Sequence, residues 1–219
     1  MNTDNSPQSL LPPDDDLDII HTRRYETRVY RIGEDEMLVR GAISDMKPPG
    51  LYVVDDPEEL EIHQMQVEMK VSLPKLEIVD VSVGFETHPH SGCPQILDHY
   101  ESLVGLNIAR GFTHKVRELF GGPRGCTHIT ALLQAMAPAV VQSTWSMAVI
   151  KRRKQGGTSG SLDYNRSAMF KSNINTCHVW REDGQHVAEI SEGKKSEPPL
   201  QVTERLIQLG RKPEEWGDF

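Results

Sequence analysis

Cysteine and histidine supply the reactive side chains of this 219-residue sequence, and several of them stand where the chain must turn. Cys126 and His128 follow the run Gly121-Gly122-Pro123-Arg124-Gly125 and open an apolar stretch with helical spacing. We predict that Thr127 is the N-cap of this helix. The free N–H groups and dipole of a helix N-terminus favour a thiolate or a bound anion. This junction therefore places a thiol and an imidazole in a position suited to chemistry.

Two further polar side chains fall on strand faces that are otherwise apolar. Asp45 has the parity of the apolar residues in a strand predicted over 37–45, and His63 falls on the apolar side of a strand predicted over 61–72. Asp45 could orient His63, which would then move a proton on a bound substrate. The alternative for Asp45 is a strand-end residue that accepts backbone N–H groups.

The same residue types suit a divalent metal. His63, Cys93, Cys126 and His128 are candidate ligands for zinc or iron, and Asp45 is a further candidate. The alternative is a satisfied histidine and cysteines that act as small buried hydrophobic residues. If no metal is bound, His63 and Asp45 would perform acid–base chemistry, and Cys126 could be a covalent nucleophile.

Two residues are candidates for substrate binding. Arg124 could hold a substrate carboxylate beside the glycine-rich turn, and His90 could line the site from the turn His88-Pro89-His90. The alternative is that both are solvated turn residues. The sequence contains no phosphate loop, dinucleotide fingerprint or nucleophile elbow, so we expect no nucleotide cofactor.

Composition and charge limit the compartment and the partners. The net charge is −8, and the single basic run, Lys151-Arg152-Arg153-Lys154, lacks interleaved aromatic residues, so we expect no nucleic-acid partner. No apolar run reaches the roughly 18 residues that span a bilayer, and the N-terminal residues lack a signal-peptide pattern. Three cysteines without a close pair fit reduced thiols. We therefore expect a cytoplasmic protein without a membrane partner, and its long helix could serve a homodimer.

The hydrophobic pattern predicts the elements that position these residues. Strands are predicted over residues 22–32, 37–45, 61–72 and 76–87, with Val79, Val81, Val83 and Phe85 facing inward on the fourth. Helices are predicted over 96–104, from Thr113 to Phe120, and from the Cys126 junction to about Ile150. Strands followed by helices indicate an α+β fold with an antiparallel, meander-like sheet covered on one face by helices.

Composition also predicts the domain organisation. Residues 1–18 are expected to be a disordered tail, 19–150 an α+β core domain, and 151–168 a flexible linker or loop. Residues 169–219 are expected to pack on the core as a hairpin and a short helix. The hairpin strands are predicted over 175–180 and 187–190, on either side of Glu182-Asp183-Gly184, and the helix over 201–210.

An ordered set of motifs spans roughly residues 20–145. The motifs are Ile62-His63-Gln64-Met65, Gly92-Cys93-Pro94, Leu103-Val104-Gly105-Leu106, Gly111-Phe112-Thr113 and Gly125-Cys126-Thr127-His128. Together with Asp45 and Lys47, the set resembles a bacterial domain-of-unknown-function family, number twenty-eight eighty-nine. Gln64 stands where members of that family usually carry an acid. The resemblance implies domain boundaries but assigns no reaction.

These observations predict an enzyme that acts on a small molecule. The pocket is expected between the apolar face of the sheet and the helix that opens with Cys126 and His128. A His/Cys/Asp pocket without a redox-cofactor motif favours a lyase or hydrolase acting on an aromatic or acyl compound, with or without a divalent metal. The alternative is a non-catalytic binding or assembly module with a structural metal or no metal.

Overall fold

The computed structural model describes residues 9–13, 16–154, 171, 173–194 and 198–218. The described residues belong to two compact units, with the boundary between Thr144 and Trp145. Within the predicted tail, residues 1–8 and 14–15 lie outside the described residues, as do residues 155–168 of the predicted linker.

The first unit is built on an open sheet of four antiparallel strands. These are β1 (Thr22–Arg31), β2 (Glu36–Lys47), β3 (Leu60–Ser72) and β4 (Glu77–Thr87), paired in the order β1-β2-β3-β4. The predicted α+β class and meander are confirmed. One face of the sheet is buried, and its central side chains are Met37, Val39, Ile43, Met65, Val67, Met69 and Val71.

Helices cover the buried face of this sheet. The helices that follow the sheet in the chain are a 3-10 helix (Cys93–Leu103), α1 (Phe112–Phe120), a short 3-10 helix (Gly122–Arg124) and α2 (Thr127–Lys154), of which the residues up to Thr144 belong to this unit. A Cβ atom at Gly41 of β2 would lie 2.3 Å from Sδ of Met136, so α2 packs directly on the sheet there. Along the described part of the chain, no helix combines the length and apolarity needed to cross a membrane.

Register irregularities change which residues of β4 face inward. Lys70 pairs with Asp80 and Val71 pairs with Ile78, so Val79 is an extra residue on β4. A bulge of this kind reverses the alternation on one side of it. Ile78 is fully buried and Val79 is 41% exposed, so the inward prediction for Val79 was wrong. The other predicted inward residues, Val81, Val83 and Phe85, lie opposite Met69, Val67 and Met65.

The second unit contains the last turns of α2, then α3 (Gln185–Ser191), α4 (Leu200–Gln208) and a 3-10 helix (Pro213–Asp218). Helix α4 corresponds to the predicted terminal helix. The predicted hairpin was wrong, because its second strand is α3. Val187 and Ile190 are three residues apart, a spacing that fits one face of a helix. A segment of four residues is too short to distinguish the helical period of 3.6 residues from the strand period of two. Gln185 also donates a 2.9 Å hydrogen bond to Glu189 one turn later.

Candidate metal centre

The site is built around the carboxylate of Asp45, which is only 2% exposed near the end of β2. The β1–β2 register places Arg23 directly opposite it. Arg23 donates from Nε to Oδ1 at 2.6 Å and from Nη2 to Oδ2 at 2.7 Å. These hydrogen bonds hold the pKa of Asp45 well below its usual range and raise the pKa of Arg23. Asp45 is therefore an ionised carboxylate with a fixed orientation.

Three histidines surround the same carboxylate. His128 Nε2 lies 2.9 Å and His63 Nδ1 lies 3.1 Å from Oδ2, while His21 Nε2 lies 3.2 Å from Oδ1. His63 is the β3 partner of Asp45, His128 is the second residue of α2, and His21 immediately precedes β1. An extra residue on β3, Ile62, interrupts the ladder next to the Asp45–His63 pair. Bulges are frequent beside active sites, where they re-aim side chains.

Two of the imidazoles are stacked. The ring centroids of His63 and His128 are 4.0 Å apart with an interplanar angle of 30°. Burial lowers the pKa of His128, and the repulsion of a charge on His63 lowers it further. The arrangement therefore favours the neutral form of His128, which is the form that binds metals.

Asp45 and the four side chains around it, Arg23, His21, His63 and His128, are called the cluster below. One nitrogen of the cluster has no hydrogen-bond partner. His63 Nδ1 is buried and has no hydrogen-bond partner, although it lies 3.1 Å from Asp45 Oδ2. The two atoms are close enough for a hydrogen bond, so the bond is absent because the N–H direction of the ring does not point at the oxygen. A buried nitrogen without a partner costs about 1–3 kcal/mol, and a cation shared by His63 and Asp45 would remove that cost.

The donor set fits such a cation. One ligand atom from each of Asp45, His63 and His128 can be chosen so that all lie within 4.8 Å of one another. One carboxylate and two imidazoles form the set found in catalytic zinc sites and in non-haem iron(II) sites, both of which keep open positions. Arg23 fixes the plane of the carboxylate from behind, as outer partners of metal ligands commonly do.

Cys126 lies on the other side of the His128 ring. Its Sγ is 3.7 Å from Nδ1 of His128, whereas Nε2 of the same ring faces Asp45. The carbonyl of Cys126 accepts the first helical bond, from Thr130 at 2.9 Å, so Cys126 rather than the predicted Thr127 occupies the N-cap position. Its N–H donates to Tyr100 Oη at 2.8 Å, and burial raises the pKa of Tyr100 to about 12.

The glycine-rich turn allows α2 to begin at this point. A Cβ atom at Gly125 would lie 2.6 Å from the carbonyl oxygen of Phe120, and Gly122 has a φ of 62°. Only glycine permits the approach at the first position, and it is strongly favoured at the second. The turn thereby carries Cys126 and His128 onto the cluster.

The protein-family model described as Protein of unknown function (DUF2889) matches residues 21–142, which is more than half of the chain. The protein belongs to the DUF2889 family. The match begins at His21 and includes every residue of the cluster around Asp45. The corresponding comparisons with curated proteins and with solved structures found no match.

Three residues predicted for the site of this DUF2889 protein have other contacts. Arg124 donates to the carbonyl of Glu118 at 3.0 Å and so satisfies the end of α1. His90 is exposed, and its carbonyl accepts a 2.9 Å hydrogen bond from His88. Cys93 begins the 3-10 helix and is not among the described residues that form the possible metal group. The contacts of the structure join Asp45, His63, Cys126 and His128.

Sequence reasoning missed two neighbours of Asp45 in the DUF2889 domain. Arg23 and His21 both contact its carboxylate. A signal for Arg23 was present, because the hairpin turn at Gly33-Glu34-Asp35 fixes the β1–β2 register and so the residue opposite Asp45. The N–H···Oη bond between Cys126 and Tyr100 had no comparable signal, because it joins two segments 26 residues apart.

Proposed function

We propose that this protein is a cytoplasmic, metal-dependent enzyme that acts on a small organic molecule as a lyase or hydrolase. Its ion, zinc or iron(II), would be held by Asp45, His63 and His128. The observation that carries this proposal is the buried Nδ1 of His63, which lies 3.1 Å from the carboxylate oxygen that His128 contacts and yet lacks a hydrogen bond. A divalent cation accounts for the convergence of these three side chains.

The chain itself supplies a preorganised frame. An ion held by Asp45, His63 and His128 would be left with room for a further ligand, and would supply the Lewis acidity that polarises a carbonyl or lowers the pKa of a water. Arg23 donates to both oxygens of Asp45, and Tyr100 holds the N-cap that positions His128. Because Arg23 already neutralises Asp45, we expect the ion to bind less tightly than in a closed structural site.

A second candidate is a metal-free relay. Cys126 Sγ, the His128 ring and the Asp45 carboxylate form a continuous chain of contacts, at 3.7 Å and 2.9 Å. A thiol, a base and a carboxylate that orients the base are the parts of covalent acyl-transfer sites. His128 would take the thiol proton as Cys126 attacks an acyl carbonyl, and would return it to the leaving group. Water would then hydrolyse the thioester.

The two candidates require opposite tautomers of His128. In the relay, Nε2 carries the proton that it donates to Asp45, and Nδ1 accepts from Cys126. In the metal centre, Nε2 offers its lone pair to the ion. One ring cannot do both at once, so the candidates are separable.

Cobalt(II) titration of the metal-free protein tests the proposal. We expect one equivalent to bind and to give visible d–d absorption, with at least a tenfold loss of affinity in His63→Gln, because one ligand is removed. Cys93→Ser is the matched control, since Cys93 lies outside the group, and should bind like the wild type. An unchanged affinity in His63→Gln would contradict the proposal.

Turnover separates the metal centre from the relay. A panel of 4-nitrophenyl esters and aromatic hydroxycarbonyl compounds would be screened with cobalt-loaded and metal-free protein. The metal centre predicts that activity appears with the ion and survives Cys126→Ser. The relay predicts activity without an ion that disappears in Cys126→Ser. Activity that needs neither group would contradict both.

A further inference from the structure

Four consecutive apolar side chains are exposed in the connection between β2 and β3. This segment, Leu51-Tyr52-Val53-Val54, is called the apolar loop below, and its side chains are 47% to 81% exposed. Single exposed apolar residues are ordinary, but a continuous run of four is a feature that needs a reason.

The apolar loop lies at the end of the sheet that carries the cluster. It joins the two strands that present Asp45 and His63. Lys47 follows Asp45 by two residues on β2 and therefore lies on the same face of the sheet. The Nζ atom of Lys47 is 5.1 Å from the ring centroid of Tyr52. This contact ties the Tyr52 ring to the end of the strand that carries Asp45.

A second apolar segment stands next to the loop. Ile19 and Ile20 are 46% and 70% exposed and directly precede His21, which contacts the Asp45 carboxylate. Because Thr22 pairs with Met46, the chain before β1 lies beside the chain that leaves β2 toward the loop. Apolar side chains from two segments thus lie at the end of the sheet that carries Asp45 and His63.

The apolar loop is held in shape by its own hydrogen bonds. The N–H of Leu51 donates to the Pro48 carbonyl at 3.4 Å, and the N–H of Asp56 donates to the Val53 carbonyl at 3.2 Å. Gly50 and Asp55 adopt positive φ angles of 73° and 67° on either side of the apolar residues. A loop ordered in this way presents its side chains at a reduced entropic cost of binding.

We infer that the apolar loop binds the hydrocarbon part of the substrate, an aromatic ring or a body of similar size, while a polar oxygen of the substrate lies at Asp45, His63 and His128. This inference rests on the proposed function. The continuity of the loop with a polar cluster favours such a ligand. The six exposed side chains, four in the apolar loop and those of Ile19 and Ile20, also offer less surface than the roughly 800 Å² per partner that a stable protein interface buries.

Hydroxamates with growing apolar tails test this inference, because the head group binds a metal and the tail is variable. Affinities of acetohydroxamate, benzohydroxamate and 2-naphthohydroxamate would be measured on cobalt-loaded full-length protein. We expect a gain of about tenfold for each added ring in the wild type, from apolar burial. In Tyr52→Ser/Val54→Ser the gain should disappear, with the affinity for acetohydroxamate unchanged.

Tyr30→Ser/Val79→Ser is the matched control. Tyr30 and Val79 are also exposed, and Tyr30 likewise contacts a cation, Arg40, at 5.6 Å, but both stand on the sheet away from the loop. The control should keep the full gain from the tail. If both double variants lose the affinity gain from the apolar tail to the same extent, the inference would be overturned.

The remaining outcomes separate the inference from the proposed function. If acetohydroxamate binds but larger tails add nothing, the inference fails and the metal centre stands. If acetohydroxamate does not bind, or binds His63→Gln equally well, the metal centre fails and the inference fails with it. If Tyr52→Ser/Val54→Ser converts a dimer to a monomer in sedimentation and keeps the tail gain, the loop is a self-association surface and the inference is overturned.

Discussion

Asp45 receives more polar contacts than a buried carboxylate needs for its own satisfaction. The two hydrogen bonds from Arg23 already neutralise it, yet two histidine nitrogens also crowd Oδ2. Asp45 is therefore both a structural residue, through Arg23, and a candidate ligand, through His63 and His128. Stability and metal affinity are separate measurements, so these two roles can be tested independently.

Asp45→Asn should destabilise the protein by about 1–3 kcal/mol, because an amide cannot accept both hydrogen bonds from Arg23 and leaves that guanidinium without its counter-charge. Asp80→Asn is the control, since Asp80 pairs with Lys70 at 2.8 Å on the exposed face of the sheet. Such a surface pair contributes at most about 1 kcal/mol. Urea unfolding of both variants measures the difference, and equal losses would contradict the structural role of Asp45.

Tyr100→Phe should change how stability depends on pH. The pKa of Tyr100 is raised to about 12 by burial, above the ordinary value of 10.0. The protonated phenol is thus favoured in the folded state, so its stabilising effect is complete below pH 10 and is lost as the pH rises from 10 to 12. We expect wild-type stability to fall over that range more steeply than that of Tyr100→Phe.

The same variant also loses a hydrogen bond at neutral pH. Removing the acceptor for the Cys126 N–H should cost about 1 kcal/mol in urea unfolding at pH 7. Tyr52→Phe, at an exposed tyrosine, is the control and should behave like the wild type at both pH values. If stability falls equally steeply between pH 10 and 12 in Tyr100→Phe and in the wild type, the raised pKa of Tyr100 would be contradicted.

The contact between β2 and α2 determines how closely His128 approaches Asp45. Gly41 makes the contact possible, because a Cβ there would lie 2.3 Å from Sδ and 2.8 Å from Cγ of the buried Met136. Helix α2 can therefore lie directly against the strand that carries Asp45.

Gly41→Ala should cost about 1–3 kcal/mol through overpacking against Met136. Gly84→Ala is a control in the same sheet, since its added Cβ would meet the flexible end of Glu86 at 3.3 Å and Gln66 Cβ at an ordinary contact distance of 4.0 Å. The control should be neutral or slightly stabilising, because alanine loses less backbone entropy than glycine. Thermal unfolding compares the two, and a Gly41→Ala variant as stable as Gly84→Ala would contradict the close packing.

Much of the sheet could be predicted from the alternation of apolar and polar residues, because one face of the sheet is buried and successive side chains of a strand point to opposite faces. That pattern placed Asp45 and His63 on the inner face and predicted the meander. It could not locate the extra residue Val79, since a bulge depends on the pairing between strands. It also failed at 187–190, where four residues fit a helix and a strand equally well. The approach of His128 to Asp45 depends on helix packing across 83 residues, which local patterns do not encode.

The whole cluster lies in the unit that ends at Thr144, within the DUF2889 match. This matters for the competing possibility of a structural metal. A structural ion closes all its coordination positions and its removal unfolds the domain, whereas a catalytic ion occupies a site that the apolar core already holds in place. The core under the sheet is extensive, with fully buried side chains from both strands and helices.

Removal of the ion should therefore lower the melting temperature without unfolding the protein. We expect chelator-treated protein to keep its circular dichroism spectrum at 25 °C. Restoring zinc at about 100 times its dissociation constant should stabilise the fold by roughly 2.7 kcal/mol. Loss of the spectrum on chelation would instead identify a structural metal and favour the assembly-module alternative.

The metal content of the untagged protein, purified without chelators and measured by elemental mass spectrometry, tests the central claim most directly. The metal centre predicts close to one zinc or iron per chain, a large loss in His63→Gln and in His128→Gln, and full content in Cys93→Ser. Protein that contains no divalent metal, or variants that retain it fully, would contradict the metal centre. The assignment would then pass to the relay of Cys126, His128 and Asp45.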